Sequence, residues 1–531
     1  MAALMIQGCG SDVGKSVLVA GLCRLFTRRG IVVRPFKSQN MSNNAAVTSG
    51  GGEIGRAQAL QAQACDTKPT VDMNPVLLKP QSELGAQLIV RGKMAGTFEA
   101  SAHGRDKRAL LDVAIESYRR LAQEAQLMIV EGAGSPAETN LRKNDIANMG
   151  LAQALGLPVV LVGDINRGHV IAALVGAHVV LDAADRALIR GFIVNKFRGN
   201  PQLFEDGVRR IREHTGWASI GVVPWLQAAS RLPPEDGMQL EGRHTSRSLH
   251  SRLKIAVPQL SRIANFDDFD PLREEPAVEL VFVPPGQPLP ADAALILIPG
   301  TKSTIADMEF MRSQGWDIDV LSHLRHGGRV LGICGGYQML GSTIGDPEGI
   351  EGSPRTVRGL GLLEVDTVMT GDKTLREVSG VLLGAYTRSG ARVAGADAVS
   401  TGADALGARA DAPGTGADAA GTGAVGTVGA VPFAGYEMHI GSTTGPGTGR
   451  PFLRFGDGSI DGAVSADGRV AGCYVHGLFG VTTARAALVS QIGAAPSNDD
   501  HTARVDVALD EIASVLENCL DIRALAAIAG L

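Results

Sequence analysis

A chain of 531 residues exceeds what one hydrophobic core fills, so two or three domains are expected. With 44% hydrophobic and 20% charged residues it has the composition of a soluble globular protein, and a formal net charge of −5 gives no basis for nucleic-acid or membrane-surface binding. Six scattered cysteines follow neither metal-ligand nor disulfide-framework spacing, which points to a reducing, cytoplasmic compartment.

The N-terminal apolar run has no basic segment before it and leads straight into a glycine loop, so no signal peptide is expected. Leu4 to Gln7 reads as a strand, Gly8-Cys9-Gly10-Ser11-Asp12-Val13-Gly14-Lys15-Ser16 as a phosphate loop, and Val17 to Arg28 as a helix. In such a loop the backbone N–H groups and the helix N-terminus face phosphates. Lys15 is then expected to reach the terminal phosphates and Ser16 to hold Mg²⁺. The strict pattern has glycine at position 9; here that place is Cys9 and the glycine is Gly8. ATP-binding candidates are therefore Gly8, Gly10, Gly14, Lys15 and Ser16.

A second strand ends in Pro35-Phe36-Lys37, which puts Lys37 beside the loop as a contact for the γ-phosphate or a substrate carboxylate, or as a solvated lysine. Glu53 precedes a helical segment from about Ile54 to Ala64 and reads either as a metal-side acid or as helix capping. Leu127 to Val130 is a buried strand with Glu131 at its tip, where such folds place a second Mg²⁺ contact. The longest uncharged run, Ile146 to Gly163, is broken by Asn148, Gln153, Gly156 and Pro158, and reads as a helix, a turn and another buried strand rather than a membrane span. That strand ends in Asp164, with Arg167 close behind. Leu188 to Val194 is a further strand ending in Asn195, a candidate for reading a nucleotide base or a simple turn residue. Repeated αβ units with polar strand tips argue for a doubly wound parallel sheet with its site on the carboxyl edge.

The loop Gly8–Ser16 with its displaced glycine resembles the dethiobiotin-synthetase type. Together with Lys37-Ser38-Gln39-Asn40-Met41, Asn74 to Pro80, Glu131 to Pro136 and Asn195 to Gly199, it resembles the cobyric acid synthase family, glutamine-hydrolysing amide ligases. Gly168-His169 departs from the Gly-Gly pair expected after Asp164 to Arg167. The ATP domain is placed at 1–245. Leu232 to Arg252, with Pro233-Pro234 and several charges, reads as an exposed linker.

A second α/β domain, 252–490, begins at Lys254 to Val257. The acidic stretch Asn265 to Leu272 reads as a helix start on a polar loop and, by resemblance, as a family mark rather than as chemistry. Leu295 to Ile298 is a buried strand running into Pro299-Gly300-Thr301-Lys302-Ser303. Val330-Leu331 leads into Gly332-Ile333-Cys334-Gly335-Gly336, a strand, a tight turn and a helix with a thiol at the apex, where a helix N-terminus favours the thiolate. This is the thiol counterpart of a nucleophile elbow. Two histidines lie at later strand ends, His439 and His476; either serves as a base or as a satisfied core residue. Residues 390–431, rich in Ala, Gly, Thr and Asp, have no periodicity and are expected to be a disordered insertion. Residues 491–531 form a helical extension, with Asp510 to Ala527 as one amphipathic helix.

The resemblance implies a C-terminal class I glutamine amidotransferase-like domain with Cys334 as nucleophile, His476 as base, and an oxyanion hole from the N–H groups of Gly300 and Gly335. Many such domains carry a glutamate two residues after the histidine; here Leu478 stands there, so a dyad, or an orienting group such as Glu437, is expected instead. It further implies ATP and Mg²⁺ as cofactors, glutamine and a corrinoid as partners, and four amidations of adenosylcobyrinic acid a,c-diamide. A homo-oligomer stays open. Three other readings also stay open: a cobyrinic acid a,c-diamide synthase, against which Lys37–Met41 and Asn265–Leu272 argue; a phosphate-loop switch ATPase, which needs no thiol; and a cysteine hydrolase with a structural nucleotide domain.

Overall fold

The computed structural model describes residues 1–80, 85–99, 105–235, 252–383 and 430–531. In the first half, β1 (Ala2–Gly8), α1 (Lys15–Arg28), β2 (Val33–Phe36), α2 (Arg56–Ala64), β3 (Leu127–Glu131), β4 (Val159–Asp164), β5 (Ile189–Phe197) and β6 (Ala218–Pro224) carry the frame. The strands form one parallel sheet in the order β6-β5-β4-β1-β3-β2. β1 and β3 are buried along their whole length, as strands covered on both faces must be. Leu4 and Ile6 feed the core on one face, Met5 and Val130 the core on the other. The carboxyl ends of β1, β3, β4 and β5 bring Gly8, Glu131, Asp164 and Asn195 to one edge. A smaller sheet (Gln39–Met41, Val76–Pro80, Gly85–Val90, Lys93–Glu99) stands beside it.

The second half repeats the logic. β7 (Leu253–Pro258), β8 (Val278–Val283), β9 (Ala293–Ile298), α3 (Thr304–Ser313), β10 (Arg329–Ile333) and α4 (Gly335–Leu340) are followed by a long hairpin, β11 (Asp366–Leu382) and β12 (Val431–Thr444). After it come β13 (Val470–Cys473) and β14 (Val475–His476). The main sheet runs β8-β7-β9-β10-β13, all parallel, with Ala463–Val464 antiparallel at the edge. The fold is thus α/β with two parallel-sheet units. The 390–431 run lies outside the described residues except for its last two, and 431 opens β12.

The hairpin leans on the first half. Met438 packs in one apolar cluster with Ala45, Val47, Leu77 and Ile89. The C-terminal segment also returns to the first half, as two helices rather than one: α5 (His501–Cys519) and α6 (Ile522–Ala529). Leu520 is extended, and Asp521 starts the second helix by accepting a hydrogen bond from the Ala524 N–H. Ala508, Leu509, Ile512 and Leu516 enter the same core as Leu18, Val19 and Leu22 of α1. Among the described residues no helix is long and apolar enough to cross a membrane.

Candidate active sites

The thiol site starts from the turn between β10 and α4. Cys334 takes φ 53°, ψ −111°, an unusual conformation for a residue with a Cβ, and is buried. What permits the turn is close approach: a Cβ on Gly336 would stand 2.1 Å from the Ile298 carbonyl oxygen, so only glycine lets α4 sit on the end of β9. The Cys334 Sγ lies 3.5 Å from the Met438 carbonyl oxygen. The His476 ring, stacked on Tyr436 with centroids 5.3 Å apart, lines the same cavity as Cys334. Gly300 faces both: a Cβ there would lie 3.1 Å from His476 Cε1 and 3.7 Å from Cys334 Cβ. Among the described residues, neither the Gly300 nor the Gly335 N–H donates to a backbone carbonyl.

The third member of this cluster is Asp268, and this corrects two expectations. The stretch Asn265 to Leu272 is more than a family mark, since it brings a carboxylate to His476. Asn265 adopts positive φ (51°) and turns the chain into a short 3-10 segment, Phe266–Phe269. Phe266 and Phe269 anchor it in the cores on opposite faces of the sheet, leaving the two aspartates to polar partners. Asp268 Oδ2 lies 2.6 Å from His476 Nδ1, and its Oδ1 accepts from the Gly477 N–H at 2.9 Å. Glu437, the expected orienting group, instead pairs with Arg376, because antiparallel pairing sets Glu437 opposite Val475 and Tyr436 opposite His476. Burial alone would lower the His476 pKa; Asp268 and Cys334 outweigh it and raise it to about 10. The rival, His439, lines the same cavity but stacks on Tyr474 at 3.6 Å.

The phosphate-loop site follows from β1, β3 and α1. Lys15 Nζ donates to the carbonyls of Gly10 (3.0 Å) and Gly134 (3.2 Å). Ser16 Oγ lies 2.7 Å from Glu131 Oε1 and 2.5 Å from Glu235 Oε2. Lys37 Nζ pairs with Glu131 (2.9 Å) and Glu235 (2.7 Å) rather than standing in solvent, and these two carboxylates hold its pKa above the ordinary lysine value against the effect of burial. Gln61 of α2 donates to Glu131 Oε2 at 2.6 Å.

Glu235 was hidden in the segment read as an exposed linker. Its first residues are packed instead: Leu232 is buried, and the Pro234 and Glu235 carbonyls accept from Asn44 and Ser42. The rest of that segment, 236–251, lies outside the described residues. Ser16, Glu131 and Glu235 form an all-oxygen donor set of a kind that suits a hard divalent cation.

Two other expectations change, the place of Glu53 and the start of the helix after it. Glu53 is not beside the phosphate loop; it lies between Lys79 (3.2 Å) and Lys373 (2.5 Å) where the two halves meet. It sits in a short strand, Glu53–Gly55, so the helix starts only at Arg56. Asn195 directs its amide to the Val13 carbonyl at 2.8 Å and so braces the phosphate loop. Asp164 pairs with Lys196 at 3.0 Å.

A phosphate loop and a thiol–imidazole–carboxylate cluster on one chain define a glutamine amidotransferase coupled to an ATP-dependent ligase. The comparisons agree. Residues 4–239 match the CobQ/CobB/MinD/ParA nucleotide binding domain, and 254–483 match the CobB/CobQ-like glutamine amidotransferase domain. The chain is 60% identical over 530 residues to the cobyric acid synthase of Caulobacter sp. (strain K31), covering 100% of both chains. It is 54% identical over 529 residues to that of Rhizorhabdus wittichii, covering 100% of this chain and 99% of the other. The chain belongs to the cobyric acid synthase family of cobalamin biosynthesis, enzymes that amidate carboxylates with glutamine as nitrogen source. This favours the main reading over the switch ATPase and the free hydrolase.

Proposed function

We propose that the chain converts adenosylcobyrinic acid a,c-diamide to adenosylcobyric acid by amidating the b, d, e and g carboxylates, each turn using one ATP and one glutamine. The observation that carries the reading is the cluster Cys334–His476–Asp268 on the same chain as the Lys15–Ser16–Glu131 loop. In the thiol site Cys334 attacks the glutamine carboxamide carbon and His476 takes the thiol proton. His476 then passes a proton to the departing nitrogen, so ammonia leaves and a thioester remains. The Gly300 and Gly335 N–H groups face the developing oxyanion. Water, deprotonated by His476, releases glutamate. Asp268 holds the imidazole with Nε2 toward sulfur.

At the other site the ATP γ-phosphoryl passes to a corrinoid carboxylate, and ammonia displaces phosphate from the acyl phosphate to give the amide. Lys15 neutralises phosphate charge, Lys37 tethers Glu131 and Glu235, and Asn195 braces the loop while leaving its carbonyl side to the nucleotide. Ser16, Glu131 and Glu235 are the residues that would hold Mg²⁺, which when bound spreads the charge of the transferring phosphoryl group. Six free cysteines support a cytoplasmic location. The test is mass spectrometry of the purified corrinoid incubated with ATP and glutamine. The expected result is a ladder of four products, each lighter by the difference between a carboxyl and a carboxamide. A ladder of two on a fully acidic corrinoid, with none on the a,c-diamide, would favour the a,c-diamide synthase reading.

A further inference from the structure

The cavity around Cys334 is lined from both halves of the chain and carries more positive charge than its own carboxylates match. Lys79 comes from the smaller sheet of the first half, Lys373 from the hairpin strand β11, and Lys302 from the turn after β9. Glu53 bonds Lys79 through one carboxylate oxygen and Lys373 through the other. Glu351, also in the lining, uses both oxygens as well: they accept from the Thr304 and Ile305 N–H groups, each at 2.9 Å. That leaves Lys302. Its backbone N–H donates to the Arg262 carbonyl, but among the described residues its ammonium has no carboxylate within 4.0 Å. Burial first, then the neighbouring Lys373 and Lys79, depress its pKa to about 7 against the pull of Glu53 and Glu351, so an anion bound beside it would restore its charge. A second polar atom in the same cavity also lacks a partner: His439 Nδ1 is buried and unbonded among the described residues.

We infer that Lys302 anchors the α-carboxylate of glutamine, so that the thiol site selects a free α-amino acid amide by its charged end as well as by its carboxamide. This rests on the reading of Cys334 as the glutaminase nucleophile. The geometry is suited to it. Lys302 follows Gly300 by two residues on the same turn, and a Cβ on Gly300 would meet His476 and Cys334, so the turn lies against both. Glutamine spans roughly 5 Å from carboxamide carbon to carboxylate carbon by standard bond lengths, and Cys334 and Lys302 line the one cavity in which such a ligand would lie. A charge-assisted hydrogen bond there compensates a cation that is otherwise buried alone. His439 Nδ1 is then the atom available to the α-amino end.

The experiment compares L-glutamine with 4-aminobutanamide, which replaces the α-carboxylate by hydrogen, in glutaminase assays of the full-length protein. The wild type is expected to prefer glutamine strongly. In Lys302→Met the KM for glutamine should rise about 10–100-fold with a smaller change in kcat, and the preference over 4-aminobutanamide should collapse. Lys302→Arg should restore much of it. ATP-dependent amidation with ammonium chloride reports on the ligase half in the same preparations. An unchanged KM and preference in Lys302→Met would overturn the assignment. So would an equal loss with both amides, or a loss of the ammonium-driven reaction, since either marks a purely structural lysine. Failure of the underlying glutaminase reading shows differently: Cys334→Ser would still hydrolyse glutamine.

Discussion

Asp268 and His476, 208 residues apart in the chain, meet at 2.6 Å, and the same carboxylate also takes the N–H of the residue after the histidine. The ring is therefore held at Nδ1 while its backbone is held beside it. In Asp268→Asn the amide keeps the shape and loses the charge. Glutamine-driven turnover should fall by about 10³–10⁴-fold, while the ammonium-driven reaction stays within a few-fold of wild type. Steady-state rates with the two nitrogen sources check this.

The same pair predicts a pH dependence of stability. The folded pKa of His476, about 10, lies above the ordinary histidine value, so its protonated form binds tighter in the folded state. That contribution is complete below an unfolded pKa of about 6.5 and is lost as pH rises through about 10. The gap in melting temperature between wild type and Asp268→Asn should therefore narrow between those limits. A gap that widened with pH would contradict the charged pair.

Cys334→Ser should abolish use of glutamine and leave amidation with added ammonium salt. Loss of both would contradict two separable sites. Product analysis by mass spectrometry decides it.

Lys15→Ala removes a cation held against the Gly10 and Gly134 carbonyls and should abolish amidation with either nitrogen source. Glu235→Gln is the subtler test. If Glu235 shares the cation with Glu131 and Ser16, the Mg²⁺ concentration for half-maximal rate should rise about tenfold or more, with glutamine hydrolysis little affected.

Leu516 is fully buried in the core shared with α1, so Leu516→Ala should cost about 2–5 kcal/mol. Denaturant unfolding should show the first half losing stability, although residue 516 lies beyond the amidotransferase region.

The local parts of both sites were legible in the residues: Lys15 and Ser16 follow a glycine loop at a strand end, and Cys334 sits in a glycine turn. Such arrangements lie within a few consecutive residues, where spacing and turn chemistry are written directly. Asp268 and Glu235 were not legible as site residues. Each reaches its partner only through tertiary packing, Asp268 because two phenylalanines bury on either side of it, Glu235 because a proline-containing segment folds back over Ser42 and Asn44. The alternation Phe266-Asp267-Asp268-Phe269 was the available signal, since a pair of acids fixed between two core aromatics cannot both face solvent. Glu53 misled for the complementary reason. An acid before a helix looks the same whether it faces a metal or a neighbouring domain, and here it meets Lys79 and Lys373.

The return of α5 and α6 to α1 has a consequence for how the protein is made. The apolar flank of the helix that follows the phosphate loop stays bare until the ribosome has delivered some five hundred residues, including the whole thiol half. The first half to be translated is thus among the last to be completed. Cutting the gene at the apparent domain boundary would yield a nucleotide-binding fragment with an uncovered, sticky side, and dissection of the two activities is better done by point substitution than by truncation.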